Sequence, residues 1–112
     1  MQIVQWAPCG GHLQLGERDV HVWRVNLACQ LTDNMRAVLS KDESKRLLGY
    51  KHDVLRQRYG LSRVALRRIL AQYLLEDEKQ IIFNTLDQGK PYIDGVGLSF
   101  NVSHAGDRAL VA

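Results

Sequence analysis

The sequence has no apolar run approaching the ~18 residues that cross a bilayer as a helix, so no membrane helix is expected. Met1 to Gly16 has no basic segment leading into an apolar one, which argues against a secretion signal and for a cytoplasmic protein. Cysteine is scarce. Cys9 and Cys29 are the only two, and without a secretion signal they read as free thiols in a reducing compartment rather than as a disulfide. Together with the four histidines they match no zinc spacing. A Walker A loop, an RNP or KH motif, a zinc finger and a paired-carboxylate motif are all missing, and no repeat or low-complexity segment interrupts the chain.

What is present fits one globular unit. The chain has 112 residues, of which 46% are hydrophobic, too many for a disordered segment. The net charge of +3 is modest but unevenly spread: between Arg36 and Leu70 ten Lys and Arg face three acids. That local excess suits an anionic partner, although a solvated helix face explains it equally well.

The pattern along the chain mixes helix and strand. Asp19 to Leu27 alternates, with Val20, Val22 and Arg24 against His21, Trp23 and Val25, and predicts a strand. Thr32 offers a start for a short helix over Met35 to Leu39. Ser40-Lys41-Asp42-Glu43 has capping-box spacing and predicts a helix from Lys41 to about Lys51. The strongest helical pattern runs from about Asp53 to Leu75, with Leu55, Tyr59, Leu66, Ile69, Leu70 and Tyr73 on one face and Arg56, Arg63 and Arg67 on another. Gly60 inside it costs about 1 kcal/mol relative to alanine and points to a close contact. Strands are expected at Gln80 to Asn84, Tyr92-Ile93, Leu98 to His104 and Arg108 to Ala112, separated by turns at Gln88 to Pro91, Asp94-Gly95 and Ala105 to Asp107. The last strand ends at the terminus without a turn, as if cut from a larger fold. The expected class is α+β: a small, mostly antiparallel sheet with a long basic amphipathic helix packed on it.

Two clusters can carry chemistry. Gly89-Lys90-Pro91 places an ammonium and backbone N–H groups in a turn, a plausible phosphate contact, though most such turns are only turns. Ser103 and His104 are adjacent on a strand and therefore face opposite ways, which excludes a serine–histidine nucleophile pair. Each could separately contact a phosphate. The ordinary alternative for His104 is a packed histidine beside Phe100 and Val102.

These clusters carry a resemblance. Phe100-Asn101-Val102-Ser103-His104-Ala105-Gly106-Asp107, preceded by Gly89-Lys90-Pro91, resembles the Sfp-type 4'-phosphopantetheinyl transferases, whose pattern is a GKP turn, a spacer, and F-N-[IVL]-S-H-[SAQ]-G-D. Leu39-Ser40-Lys41-Asp42-Glu43 with Arg46 and Tyr50 looks like that family's leading helix. Arg56-Gln57-Arg58-Tyr59, Arg63 and Leu66-Arg67 look like its long basic helix. The chain departs from the pattern at Leu55, where the family often has aspartate, and at Ala105, where serine is commoner.

The resemblance implies one half of a pseudo-twofold transferase fold. Residues 1–112 would form a single domain like the amino-terminal subdomain, with the carboxyl-terminal subdomain absent. The implied reaction moves the phosphopantetheine arm of coenzyme A onto a serine of an acyl or peptidyl carrier protein, that is, a holo-[acyl-carrier-protein] synthase type of transfer. By position, Arg46 resembles a contact to the coenzyme A 3'-phosphate. Gly89, Lys90 and Pro91 resemble the turn at its adenine and phosphate end, and Ser103 and His104 resemble further phosphate contacts; Arg58 is an additional candidate. Magnesium is implied, but its carboxylates belong to G-[IV]-D-x-E and W-x-x-K-E-A-x-x-K segments that do not occur here. No catalytic or metal residue is therefore expected in this chain, which should be inactive alone. A homodimer is another arrangement consistent with a half-size chain. The contrasting expectation is a stand-alone basic module for RNA or an acidic protein; the absence of a stacking platform argues against nucleic acid.

Overall fold

A computed structural model describes residues 3–5, 21–85, 90–94, 98–105 and 108–111. Cys9, Gly89, Gly95, Gly106, Asp107 and Ala112, on which some of the expectations above rest, lie outside the described residues. The fold is α+β. A four-stranded sheet is formed by β1 (Ile3–Gln5), β2 (Trp23–Asn26), β5 (Val102–Ala105) and β6 (Arg108–Val111), in the order β1-β2-β6-β5 with every pair antiparallel. Asn84–Thr85 (β3) and Pro91–Tyr92 (β4) form a separate antiparallel pair. The helices are α1 (Asp33–Arg36), α2 (Lys41–Leu48) and α3 (Asp53–Leu74), followed by a 3-10 turn at Glu78–Gln80.

The alternation in β2 puts His21, Trp23, Val25 and Leu27 inside. They meet Leu61, Ala65, Leu66, Ile69 and Leu70 of α3, together with Ala109 and Val111 of β6. The long helix thus lies across the sheet. Its buried face begins later than the sequence suggests. Val54 and Leu55 stay exposed, and burial starts at Gly60, where the helix first has neighbours on both sides. A Cβ at Gly60 would lie 2.5 Å from Leu31 Cδ2 and 3.1 Å from Leu47 Cδ1, so the glycine lets α2 and the chain before α1 approach α3.

The capping box forms: Ser40 Oγ accepts from the Glu43 N–H at 3.2 Å, and Glu43 Oε1 accepts from the Ser40 N–H at 3.0 Å. Helix α2 ends at Leu48 rather than near Lys51, closed by the Gly49 N–H donating to the Arg46 carbonyl and the Tyr50 N–H donating to the Leu47 carbonyl. The expected strand at Gln80 to Asn84 is mostly absent. Instead the 3-10 turn leads into extended backbone, and only Asn84 and Thr85 pair. The cause is Arg67. Its Nη1 donates to the carbonyls of Glu78 and Ile81, each at 2.8 Å, so a side chain takes an acceptor that a ladder would use.

Arg67 also corrects the reading of the arginine stripe. It is 1% exposed, and its Nε and Nη2 reach Glu43 Oε1 at 2.7 and 2.6 Å. Glu43 is 7% exposed. This is a buried ion pair with further hydrogen bonds, the condition under which desolvation of the two charges is offset.

Two stability changes follow. Glu43→Ala leaves Arg67 buried without its counter-charge and should lower unfolding free energy by about 3 kcal/mol, measured by urea titration. A loss below about 1 kcal/mol would show that the carbonyls alone satisfy Arg67. Leu75, 90% exposed, caps α3 in the left-handed region at φ 53 and ψ 41. Leu75→Gly should raise the melting temperature by relieving about 1 kcal/mol of backbone strain.

Candidate anion-binding site

A cavity of about 420 Å³ opens between α2, α3 and the strand-rich end of the chain. Arg46, from the last turn of α2, and Tyr50 just after it form one wall. Tyr59, Ser62, Arg63 and Leu66 of α3 form the floor. Lys90 and Pro91, with Phe100, Asn101, Val102 and His104, complete the lining. Among the described residues Arg46, Arg63 and Lys90 are the charged lining groups, and no carboxylate joins them. The resulting field favours an anion, and guanidinium and ammonium groups are the donors that phosphate oxygens bind best.

Aromatic rings hold the cations in place. The Arg46 guanidinium carbon stands 5.2 Å from the centre of the Tyr59 ring, and that of Arg63 stands 5.7 Å from it and 5.3 Å from Phe83. Tyr50 and Tyr59 pack at 5.4 Å with their planes tilted by 39°. The turn between α2 and α3 is tied by Arg56, whose Nη2 donates to the Tyr50 carbonyl at 2.7 Å and whose Nη1 pairs with Asp53 at 2.9 Å. Beneath the cavity, Arg63 Nε lies 3.8 Å from Glu43 Oε2. A single carboxylate therefore sits between Arg63 and Arg67, and the cluster keeps a surplus positive charge at the cavity wall.

Of the residues singled out from the sequence, Arg46, Lys90, Pro91 and His104 come together in this cavity. Ser103 does not line it. Cross-strand register aligns His104 with Ala109 and, through β6, with Val25, both buried against α3, and Ser103 is one residue out of phase with that set. Arg58 is half-buried and also outside the lining, and Gly89 lies outside the described residues. Ser62 and Arg63 were not singled out as site residues. Helical spacing could have flagged both, since they lie three and four positions after Tyr59 and one turn before Leu66-Arg67.

Among the described residues no group of three or more His, Cys, Asp or Glu lies together to hold a metal, and no helix is long and apolar enough to cross a membrane.

An α+β domain with a cationic, ring-lined cavity of this kind suits an anionic ligand. Comparison with known proteins narrows the class: residues 23–112 match the profile of the family described as "4'-phosphopantetheinyl transferase, N-terminal". The 4'-phosphopantetheinyl transferase HetI of Nostoc sp. is 36% identical over 114 residues, covering 96% of this chain and 48% of that protein. A phosphopantetheinyl transferase of Thraustochytrium sp. is 32% identical over 76 residues, covering 65% of this chain and 26% of that protein. The chain belongs to the 4'-phosphopantetheinyl transferase family and corresponds to its amino-terminal part. It spans about half the length of the Nostoc relative and about a quarter of the other.

Burial holds the Tyr59 phenol above its usual value of about 10, with Glu43 adding to the rise while Arg63 and Arg46 oppose it. The sign for stability follows directly. Above about pH 10 the unfolded chain sheds a proton that the native state keeps, so the Tyr59 contribution is intact below pH 10 and falls as pH rises further. Unfolding free energy should therefore drop more between pH 9 and pH 11 in the wild type than in Tyr59→Phe, and equal drops would contradict the assignment.

Proposed function

We propose that this chain forms the coenzyme A-binding part of a phosphopantetheinyl transferase, one half of a pseudo-twofold enzyme whose acceptor is an acyl or peptidyl carrier protein in the cytoplasm. The observation that carries the proposal is the meeting of Arg46, Lys90, Arg63 and His104 on one cavity, with no carboxylate among the described lining residues. A ligand with a pyrophosphate and a separate 3'-phosphate needs several donors spread over one face, and coenzyme A has that charge pattern. Arg46 suits the 3'-phosphate, and Lys90 with Pro91 suits the turn at the adenine and phosphate end. His104 suits the pyrophosphate. Ser103, Gly89 and Arg58 remain as contacts implied by the family pattern.

In the proposed reaction the carrier serine oxygen loses its proton to water and forms a bond to the β-phosphorus of coenzyme A. The bond from that phosphorus to the bridging oxygen breaks, and 3',5'-ADP leaves with the electron pair. What the described residues contribute is binding and orientation. Their cations neutralise the ground-state charge and hold the pyrophosphate still, so that attack occurs from one direction. Magnesium supplies charge neutralisation in such transfers. The described residues offer no cluster fitted to hold it, so no step of the reaction is assigned to a metal in this chain.

Calorimetric titration of the chain with coenzyme A tests the reading. Arg46→Ala and Lys90→Ala should each weaken binding by about tenfold, equivalent to ~1.4 kcal/mol. Affinity that is unchanged in both variants would contradict the site. Salt-dependent RNA binding that coenzyme A cannot compete away would replace it with a nucleic-acid function.

A further inference from the structure

Ser62 Oγ lies 3.0 Å from His104 Nε2, joining the middle of α3 to β5 across 42 residues of sequence. Ser62 is 8% exposed, and both residues line the cavity. This contact occupies one ring nitrogen and leaves the other for a ligand. Nε2 is engaged by the serine, and no hydrogen bond among the described residues engages Nδ1. A hydroxyl both donates and accepts. When the imidazole is neutral, Ser62 O–H can donate to Nε2, which places the ring proton on Nδ1. When the imidazole is protonated, Nε2–H donates to the serine oxygen, and Nδ1 still carries its proton.

We infer that Ser62 is a positioning residue that keeps His104 an Nδ1–H donor toward an anionic ligand in both of its protonation states. The inference deepens the coenzyme A reading and rests on it for the identity of the anion. Without the serine, a neutral His104 is free to adopt the other tautomer, which turns a bare Nδ1 lone pair toward the ligand. Only imidazolium would then be a dependable donor. The groups around His104 do not substitute for the serine. Arg46 of α2, Arg63 of α3 and Lys90 ahead of β4 are donors with no acceptor atom, and Tyr50 and Tyr59 are the other titratable lining groups among the described residues. Neighbouring β6 brings Arg108, in register with Ala105. None of these is a carboxylate that could hold the ring proton on a chosen nitrogen.

The test has two independent arms on the 112-residue chain. Nitrogen-15 spectra of the His104 ring at pH 8 should show the Nδ1–H tautomer in the wild type, a shift toward Nε2–H in Ser62→Ala, and recovery in Ser62→Thr, which keeps the hydroxyl. The second arm titrates coenzyme A against the same three chains. Ser62→Ala should bind about fivefold more weakly than wild type, and Ser62→Thr within twofold of it. The same tautomer in wild type and Ser62→Ala, or unchanged affinity in Ser62→Ala, would overturn the role of Ser62. Coenzyme A that fails to bind the wild type while the tautomer switch is observed would overturn the functional reading and leave the Ser62 assignment standing. Circular dichroism distinguishes either result from unfolding, and alanine in a helix interior favours folding.

Discussion

The carboxylate of Glu43 joins three parts of the molecule. Its Oε1 closes the capping box of α2 by accepting from Ser40 and also accepts from the Nε of Arg67 on α3. Arg67 in turn holds the carbonyls of Glu78 and Ile81, where the chain leaves the helix and heads toward β3. A helix start, a helix crossing and the exit from α3 therefore share one buried charge pair. Buried pairs of this kind contribute little net stability against an apolar replacement. Their value here lies in geometry: the pair sets the height of α2 on α3, and hence the distance from Arg46 to Tyr59, Ser62 and Arg63.

The same carboxylate shapes the cavity electrically. One negative charge between Arg67 and Arg63 neutralises the buried arginine and leaves the other as a surplus at the wall. Rings of Tyr59 and Phe83 hold that surplus without neutralising it, because a ring face attracts a cation and still leaves its N–H donors available. The strand side adds Lys90 and His104 from separate parts of the chain. The site thus depends on α3 packing on the sheet through the apolar face from Leu61 to Leu70, and on the missing side chain at Gly60, which lets α2 approach α3.

Much of this was legible in the sequence where a residue's role is local. Ser40 and Glu43 announce their cap by spacing, α3 declares its length by periodicity, and Gly60 marks a close approach because little else explains a glycine there. The alternation around Trp23 sets His21, Trp23 and Val25 together on one face, and that face proves to be the buried one. Roles that depend on what packs from elsewhere were not legible. Arg67 looked like one more member of a basic stripe, since nothing local separates an arginine facing water from one facing a carboxylate 24 positions earlier. Residues 80–83 read as a strand because Ile81, Ile82 and Phe83 suit one, yet the carbonyl of Ile81 was taken by that same arginine. Within the site, the conspicuous turn and strand motifs led to Lys90, Pro91 and His104, whereas Ser62 and Arg63 gained their roles only once β5 was laid against α3.

The central claim is that coenzyme A occupies the cavity between α2, α3 and β5. The most direct measurement is chemical-shift mapping of the isotopically labelled chain with coenzyme A. Saturable shifts should concentrate at Arg46, Tyr59, Ser62, Arg63, Lys90 and His104, with the β1 edge little affected. Shifts spread over the exposed arginines without saturation, or confined to a surface away from this cavity, would contradict it.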